Sequence, residues 1–317
     1  MDNMTKMQIA SNITTIRSDF TFKCHVTEAY YLFQEPHTSA MLVAVAFALV
    51  LSPMIITTNA FVVLAIIGKR TLSRTPSNIL LASTALSDIC VGLFSVPLFA
   101  ANFFTAFIGR EYNCALYTWQ IAIIHYFSLV SFLLVLTITL DRILAIYMPF
   151  FYHCKITWKI YIWLTSTVSS VLACFVCIGV SLPAWFVLIM LEGVVFFLVM
   201  IFSSGAHLAI YLTVKKINKT SPLPQSTNRL DEEKQHKLLY LTFVMFVSLI
   251  LCYLPYVFTG LSWFLRLQKR SWLMPLTMWS YVTVILKSLL NPILYCYSIS
   301  SIFKEVKRLT KYVSRRE

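Results

Sequence analysis

Residues 160–214 read IYIWLTSTVSSVLACFVCIGVSLPAWFVLIMLEGVVFFLVMIFSSGAHLAIYLTV, and the one charged side chain among them is Glu192. A helix crosses the hydrocarbon of a bilayer with about 20 apolar residues. This stretch is too long for one crossing and fits two, with Ser181-Leu182-Pro183 as the break and a very short connection. The same criterion, carried outward, finds five more apolar segments. The seven spans are expected at roughly 39–68, 76–107, 115–147, 157–181, 185–214, 236–265 and 273–298. Composition agrees, with 58% hydrophobic and 12% charged residues and a mean hydropathy of +0.75. A soluble domain carries about 25% charged residues, so a water-soluble fold is excluded. Disorder is excluded by the amount of apolar surface. The fold expected is an all-α membrane protein, a seven-helix bundle.

The net charge of +13 follows the loops. Lys69, Arg70 and Arg74, then Lys155 and Lys159, then Lys215, Lys216, Lys219, Arg229, Lys234 and Lys237, then Lys304 to Arg316 all fall on one face. Basic loops mark the cytoplasmic side. The charge is therefore a topology signal, and nucleic acid is not expected as a partner. An odd number of spans puts the N-terminus outside. Residues 1–38 form a polar outer tail without a cleavable signal, 39–298 the membrane domain and 299–317 an amphipathic surface helix with a short tail. In that helix Ile302, Phe303, Val306 and Leu309 alternate with basic residues, a pattern that lies on a membrane surface. Asn3 and Asn12 begin sequons in the outer tail and are candidate glycosylation sites. The loop 217–235, with Pro222 and Pro224, is expected to be mobile. No cysteine pair has zinc spacing with a second pair to complete a site, and no cofactor is called for.

Ionisable groups at bilayer depth are costly and therefore informative. Asp88 in the second span, Glu192 in the fifth and Lys287 in the seventh stand out, with Asn59, Ser131, Ser288 and Asn291 adding uncharged polarity. Lys287, Ser288, Asn291 and Tyr295 make one polar stripe on the seventh helix. Pro292 and Pro255 interrupt the seventh and sixth helices and free backbone carbonyls that polar neighbours or water must satisfy.

These residues resemble the rhodopsin-like (class A) G protein-coupled receptors over nearly the whole chain. Asn59, Leu86-Ser87-Asp88, Asp141-Arg142-Ile143, Trp163, Tyr211, Cys252-Tyr253-Leu254-Pro255 and Asn291-Pro292-Ile293-Leu294-Tyr295 match the motifs of that family, each on the expected helix. The resemblance implies a receptor of the plasma membrane that binds an extracellular ligand and activates a heterotrimeric G protein. It implies that Arg142, with Asp141 beside it, engages the G protein when the sixth helix swings outward at Pro255. Tyr211 and Tyr295 would turn inward to support it, and Tyr253 would take the toggle role at the pocket floor. The pocket would be lined by Ile124, His125, Ser128, Glu192, Tyr253, Tyr256 and Tyr281.

Departures from the family pattern carry information. The resemblance gives Cys114 the role of the outer cysteine of the third helix, a few residues from its usual place. The second outer loop has no cysteine, so Cys24 in the outer tail is proposed as the partner. Two free thiols are the alternative. The short second outer loop and the absence of a fifth-helix proline, with Ser203 near that place, look like melanocortin receptors and in part like cannabinoid and lysophospholipid receptors. The acidic peptide-binding residues of melanocortin receptors are not matched; Leu98, Tyr117 and Ile121 stand there. The ligand, whether peptide, lipid or another small molecule, cannot be carried over. Ile124 replaces the amine-binding aspartate, and Glu192 is the carboxylate that can act instead. Ile285 stands where opsins carry their retinal lysine. Lys287 is two residues on, turned away by about 200°, so a photopigment is not expected. Asp88, Ser131 and Asn291 correspond to the family's sodium site, and the Lys287 ammonium is expected to replace the ion and pair with Asp88. Gln235 stands where some members have a glutamate that locks Arg142, which predicts raised ligand-independent signalling.

The rival class is an ion-coupled transporter or channel that would use Asp88, Glu192 and Lys287 as an ion path. No internal repeat of the transporter kind is visible. An enzyme is not expected, because an intramembrane hydrolase needs a paired Asp–Asp, Ser–His or metal set.

Overall fold

In a computed structural model, residues 38–107, 114–181, 185–220, 229–265 and 272–314 are described, and their regular structure is helical. The first span is Thr38–Gly68. The second is built from Pro76–Cys90, a π-turn at Val91–Ser95, and Val96–Phe107. The third is Cys114–Tyr147, the fourth Trp158–Ser181, the fifth Trp185–Thr220, the sixth Arg229–Phe264 and the seventh Leu273–Ser298. A short helix, Pro149–Lys155, joins the third and fourth. Among the described residues six helices are long and apolar enough to span on their own, and the seventh passes the same test together with the helix that follows it. The apolar character of that seventh helix, though not the helix itself, is interrupted by Lys287, Ser288 and Asn291. After Ser298 the chain bends by 110° into the surface helix, Ser300–Ser314.

The ends of the fifth and sixth helices differ from the expectation. The fifth continues to Thr220 and the sixth already begins at Arg229, so helix covers much of the segment expected as loop. Lys, Arg, Glu and Gln are good helix formers, and once past the bilayer a helix has no reason to stop at its apolar edge. Cys24, Asn3 and Asn12 lie outside the described residues, as does the side chain of Cys114.

Packing inside lipid gains little from the hydrophobic effect, so small residues and interspan hydrogen bonds hold the bundle. The π-turn shows this. Ser52 Oγ donates to Gly92 O at 2.8 Å. A Cβ on Gly92 would meet Ile56 Cγ1 at 2.9 Å and Ser52 O at 3.3 Å. Only glycine lets the first and second spans approach this closely. Among the described residues four apolar clusters divide the interior; the smallest, Ala122, Leu129 and Val176, joins the third and fourth spans. One joins the first, second and seventh spans (Ile55, Phe99, Val282). One closes the inner half (Ile66, Leu80, Met245, Tyr295) and takes in Ile302 of the surface helix. The third, Phe132, Phe196 and Tyr253, lies between the third, fifth and sixth spans.

The carbonyl that Pro292 frees finds a partner on a neighbouring span. Pro292 cannot donate to Ser288 O, four residues before it. Asn59 Nδ2 donates to that carbonyl at 2.9 Å and to Ile55 O at 3.0 Å. In the turn before Pro255, Thr283 Oγ1 donates to Cys252 O at 2.9 Å. Both proline-bearing helices are thus stitched to a neighbouring span.

Candidate functional site

The polar stripe of the seventh helix closes on Asp88 at mid-membrane. Ser288 Oγ donates to Asp88 Oδ1 at 2.7 Å and Asn291 Nδ2 donates to Oδ2 at 2.6 Å. Lys287 Nζ lies 3.7 Å from Asp88 Oδ1 and donates to Ser131 Oγ at 2.9 Å. Asp88, Ser131, Lys287, Ser288 and Asn291 are all buried, and Asn59 adjoins them through the Ser288 carbonyl. The sequence grouped these six residues and the fold brings them together.

Toward the end of the bundle away from Arg142, the third and fifth spans meet through His125 and Glu192, whose Nδ1 and Oε2 are in direct contact. Glu192 Oε1 is buried without a hydrogen-bond partner. Burying a carboxylate oxygen with no donor is costly, so this atom is an acceptor with unused capacity. Tyrosines surround it. The Tyr256 ring centroid is 6.3 Å from His125, 5.6 Å from Tyr281 and 6.5 Å from Tyr253. Ile124 and Ser128 are buried on the same helix as His125. Tyr253 stands on Phe132, with centroids 4.7 Å apart. Phe132 and Phe196 form the floor beneath it, and sequence reading did not single them out; period-3.6 placement near Ser131 and Glu192 was the available signal. The same holds for Asn102 and Gln120, a buried hydrogen-bonded pair between the second and third spans.

At the inner end Arg142 contacts Asp141 Oδ2 and Ser77 Oγ. Asp141 is a hub. Tyr161 donates to Oδ1 at 2.6 Å, Tyr152 to the same oxygen at 2.9 Å, and Ser77 to Oδ2 at 3.0 Å. Burial first, and then the Asp141 charge, pushes the Tyr152 phenol above its ordinary range, which keeps it a proton donor. Ser77, Tyr152 and Tyr161 were not expected. Pro149 at the start of the connecting helix gave a hint of Tyr152, because proline opens a helix whose first turn carries Tyr152.

Tyr211, expected to turn inward when the sixth helix swings outward, is here 61% exposed on the surface of the bundle, its ring centroid 5.9 Å from Lys215 Nζ. Trp163 is 74% exposed, while Tyr161 on the same helix is buried against Asp141. Tyr295 does face inward and is fully buried. Pro255 and Pro292 sit within their helices as expected. Among the described residues no three His, Cys, Asp or Glu side chains converge as a metal site requires.

A seven-span bundle with an arginine held at one end and a buried carboxylate near the other belongs to a known class. A family model described as 7 transmembrane receptor (rhodopsin family) matches residues 58–295. The chain belongs to that family, one of receptors rather than enzymes. Curated relatives include adenosine receptor A2b of Bos taurus, 31% identical over 115 residues, and of Homo sapiens, 33% identical over 113 residues. These alignments span 36% of this chain and 33% and 32% of the respective relatives. The chain therefore covers about a third of the length of the curated relatives it matches.

Proposed function

We propose that this protein is a plasma-membrane receptor, N-terminus outside, that takes an extracellular ligand between its outer helix ends and activates a heterotrimeric G protein at its inner face. The observation that carries the reading is the clamp on Arg142, buried at the basic-loop end by Asp141 and Ser77. Releasing that arginine is a two-state event of the kind a ligand can bias from the opposite end. The family match over residues 58–295 supports the class. The transporter reading has no such support: Asp88 and Lys287 pair with each other instead of lining an open path.

The ligand site is His125, Glu192, Ser128, Ile124, Tyr253, Tyr256 and Tyr281. Glu192 Oε1 accepts an N–H or ammonium group from the ligand, and the tyrosine faces accommodate a flat or cationic body. The relatives named as adenosine receptors make adenosine a first compound to try, since its exocyclic amine is a donor that Glu192 can accept. At mid-membrane the Lys287 ammonium serves as the fixed counter-ion of Asp88. Cys24 and Cys114 form the outer disulfide, and Asn3 and Asn12 carry glycans.

The test is a ligand screen with second-messenger readout in transfected cells, with Arg142→Ala as the dead control. A compound that raises output in wild type and leaves Arg142→Ala silent at equal surface expression bears the proposal out. A response that survives Arg142→Ala contradicts it.

A further inference from the structure

We propose that the seam between the fifth and sixth spans is biased to open, because Ser203 and His207 bury polar atoms there that the present arrangement leaves without partners. His207 is the sharper case. Its Nδ1 lies 2.7 Å from Ser203 O, one helical turn back. The ring also lies beside the backbone carbonyl of Thr242 on the sixth span. A neutral imidazole has one N–H and one lone pair. With the proton on Nδ1, the Nε2 lone pair has no donor. With the proton on Nε2, the Nδ1 lone pair is set against Ser203 O. Either tautomer leaves one nitrogen facing an acceptor or nothing. Among the described residues Nε2 is buried without a hydrogen-bond partner. Among the described residues no carboxylate acts on the ring, so an imidazolium there would lack a counter-charge.

Ser203 adds to the deficit. It is 0% exposed, and its Oγ is buried without a partner among the described residues. The surroundings of both residues are apolar. The His207 ring is stacked on Phe246, with centroids 5.3 Å apart and planes 11° from parallel, and its centroid is 5.8 Å from Phe243. Phe246 and Val199, one turn before Ser203, belong to the apolar cluster between the third, fifth and sixth spans. Apolar side chains supply no donor, and a buried polar group left unsatisfied destabilises the arrangement that buries it. The nearby hydroxyl of Thr242 is engaged elsewhere, donating to Leu239 O at 2.9 Å. Thr242 lies between the start of the sixth helix and Pro255, in the part that a swing at Pro255 displaces. That displacement separates the seam and lets solvent, or a released Thr242 hydroxyl, reach Nε2 and Ser203 Oγ. The deficit therefore belongs to the closed arrangement, and its relief shifts the equilibrium toward the open one. Equating this opening with receptor activation rests on the function proposed above; the polar deficit does not.

The experiment compares wild type, His207→Phe and Ser203→Ala as the purified full chain in detergent, without ligand or G protein. Two quantities are read: the thermal midpoint, and amide hydrogen exchange over residues 238–246 of the sixth span. His207→Phe keeps a ring to stack on Phe246 and removes both nitrogens. It is expected to raise the midpoint by a few degrees and to slow exchange in that segment about tenfold, the effect of removing one buried unsatisfied group from the closed state. Ser203→Ala is expected to move both readouts in the same direction. A residue that merely packs or anchors the seam gives the opposite signs, a lower midpoint and faster exchange. A lowered or unchanged midpoint in His207→Phe recovered at wild-type yield overturns the proposal. If His207→Phe is recovered poorly, Ser203→Ala decides by the same criterion. A raised midpoint with unchanged exchange overturns the link between the deficit and opening. Neither readout involves a G protein, so a failure of G protein activation would contradict the receptor reading and leave this test intact.

Discussion

Lys287 places its ammonium 3.7 Å from Asp88 Oδ1 and hydrogen-bonds Ser131 Oγ at 2.9 Å, fixing a cation of the chain's own between the second, third and seventh spans. An ionisable group at this depth persists only with a partner, and Ser288 and Asn291 complete the carboxylate's shell.

Removing one member of that pair leaves the other buried alone, at a cost of about 3–5 kcal/mol. Lys287→Met and Asp88→Asn are each expected to lower the thermal midpoint and surface yield sharply. The double variant should recover part of the loss. Replacing sodium by N-methylglucamine should leave the wild-type midpoint unmoved. A fully folded Lys287→Met, or sodium-dependent stability of wild type, counts against the pair.

Glu192 and His125 make a second buried contact, and their substitutions should be unequal. Glu192→Gln retains a hydrogen-bond acceptor for His125 and is expected to fold. Glu192→Ala leaves His125 without that partner, at about 1–3 kcal/mol, and should lower the thermal midpoint further. An identical midpoint for the two variants would argue that the contact is not formed.

Tyr152 and Tyr161 tether Asp141 to the connecting helix and to the fourth span. Tyr161→Phe removes one donor to the carboxylate and should cost about 1 kcal/mol. Loosening the hub that holds Arg142 should also raise ligand-independent output, measured as second messenger per receptor at the surface. Lower output from Tyr161→Phe would place the hub on the active side of the switch.

Glu305 gives a pH dependence. The hydrogen bond from Lys69, followed by its charge and that of Arg308, holds this partly exposed carboxyl below its usual range. A depressed pKa means that the contact adds stability above the unfolded carboxylate range and loses it as pH falls through the folded value. Acidification should therefore loosen the surface helix, followed by hydrogen exchange over residues 300–312. Salt should do the same, because the pair is exposed. Glu305→Gln should abolish the pH response; a response that persists would assign it elsewhere.

Much of this was legible in the sequence because lipid imposes hard constraints. The stretch around Glu192, with no other charge, requires two crossings, and Pro292 implies freed backbone carbonyls, of which that of Ser288 is taken by Asn59. The Asp88 cluster was readable from polar residues that have no other reason to be at that depth. What the sequence did not reveal depends on helix rotation. Tyr161 faces Asp141 while Trp163, two residues on, is exposed, a difference of rotation that apolar surroundings do not encode. The π-turn at Val91–Ser95 shifts facing within the second span in the same way, and Gly92 alone hinted at it.

The central claim is that Arg142, held by Asp141 and Ser77, is the switch of a G protein-activating receptor. The most direct measurement is nucleotide exchange on a panel of heterotrimeric G proteins in membranes expressing wild type or Arg142→Ala at matched surface levels. The account predicts exchange above mock membranes for wild type on at least one G protein without added ligand, and none for Arg142→Ala. Wild-type exchange at the mock level on every G protein, or undiminished exchange by Arg142→Ala, would contradict it.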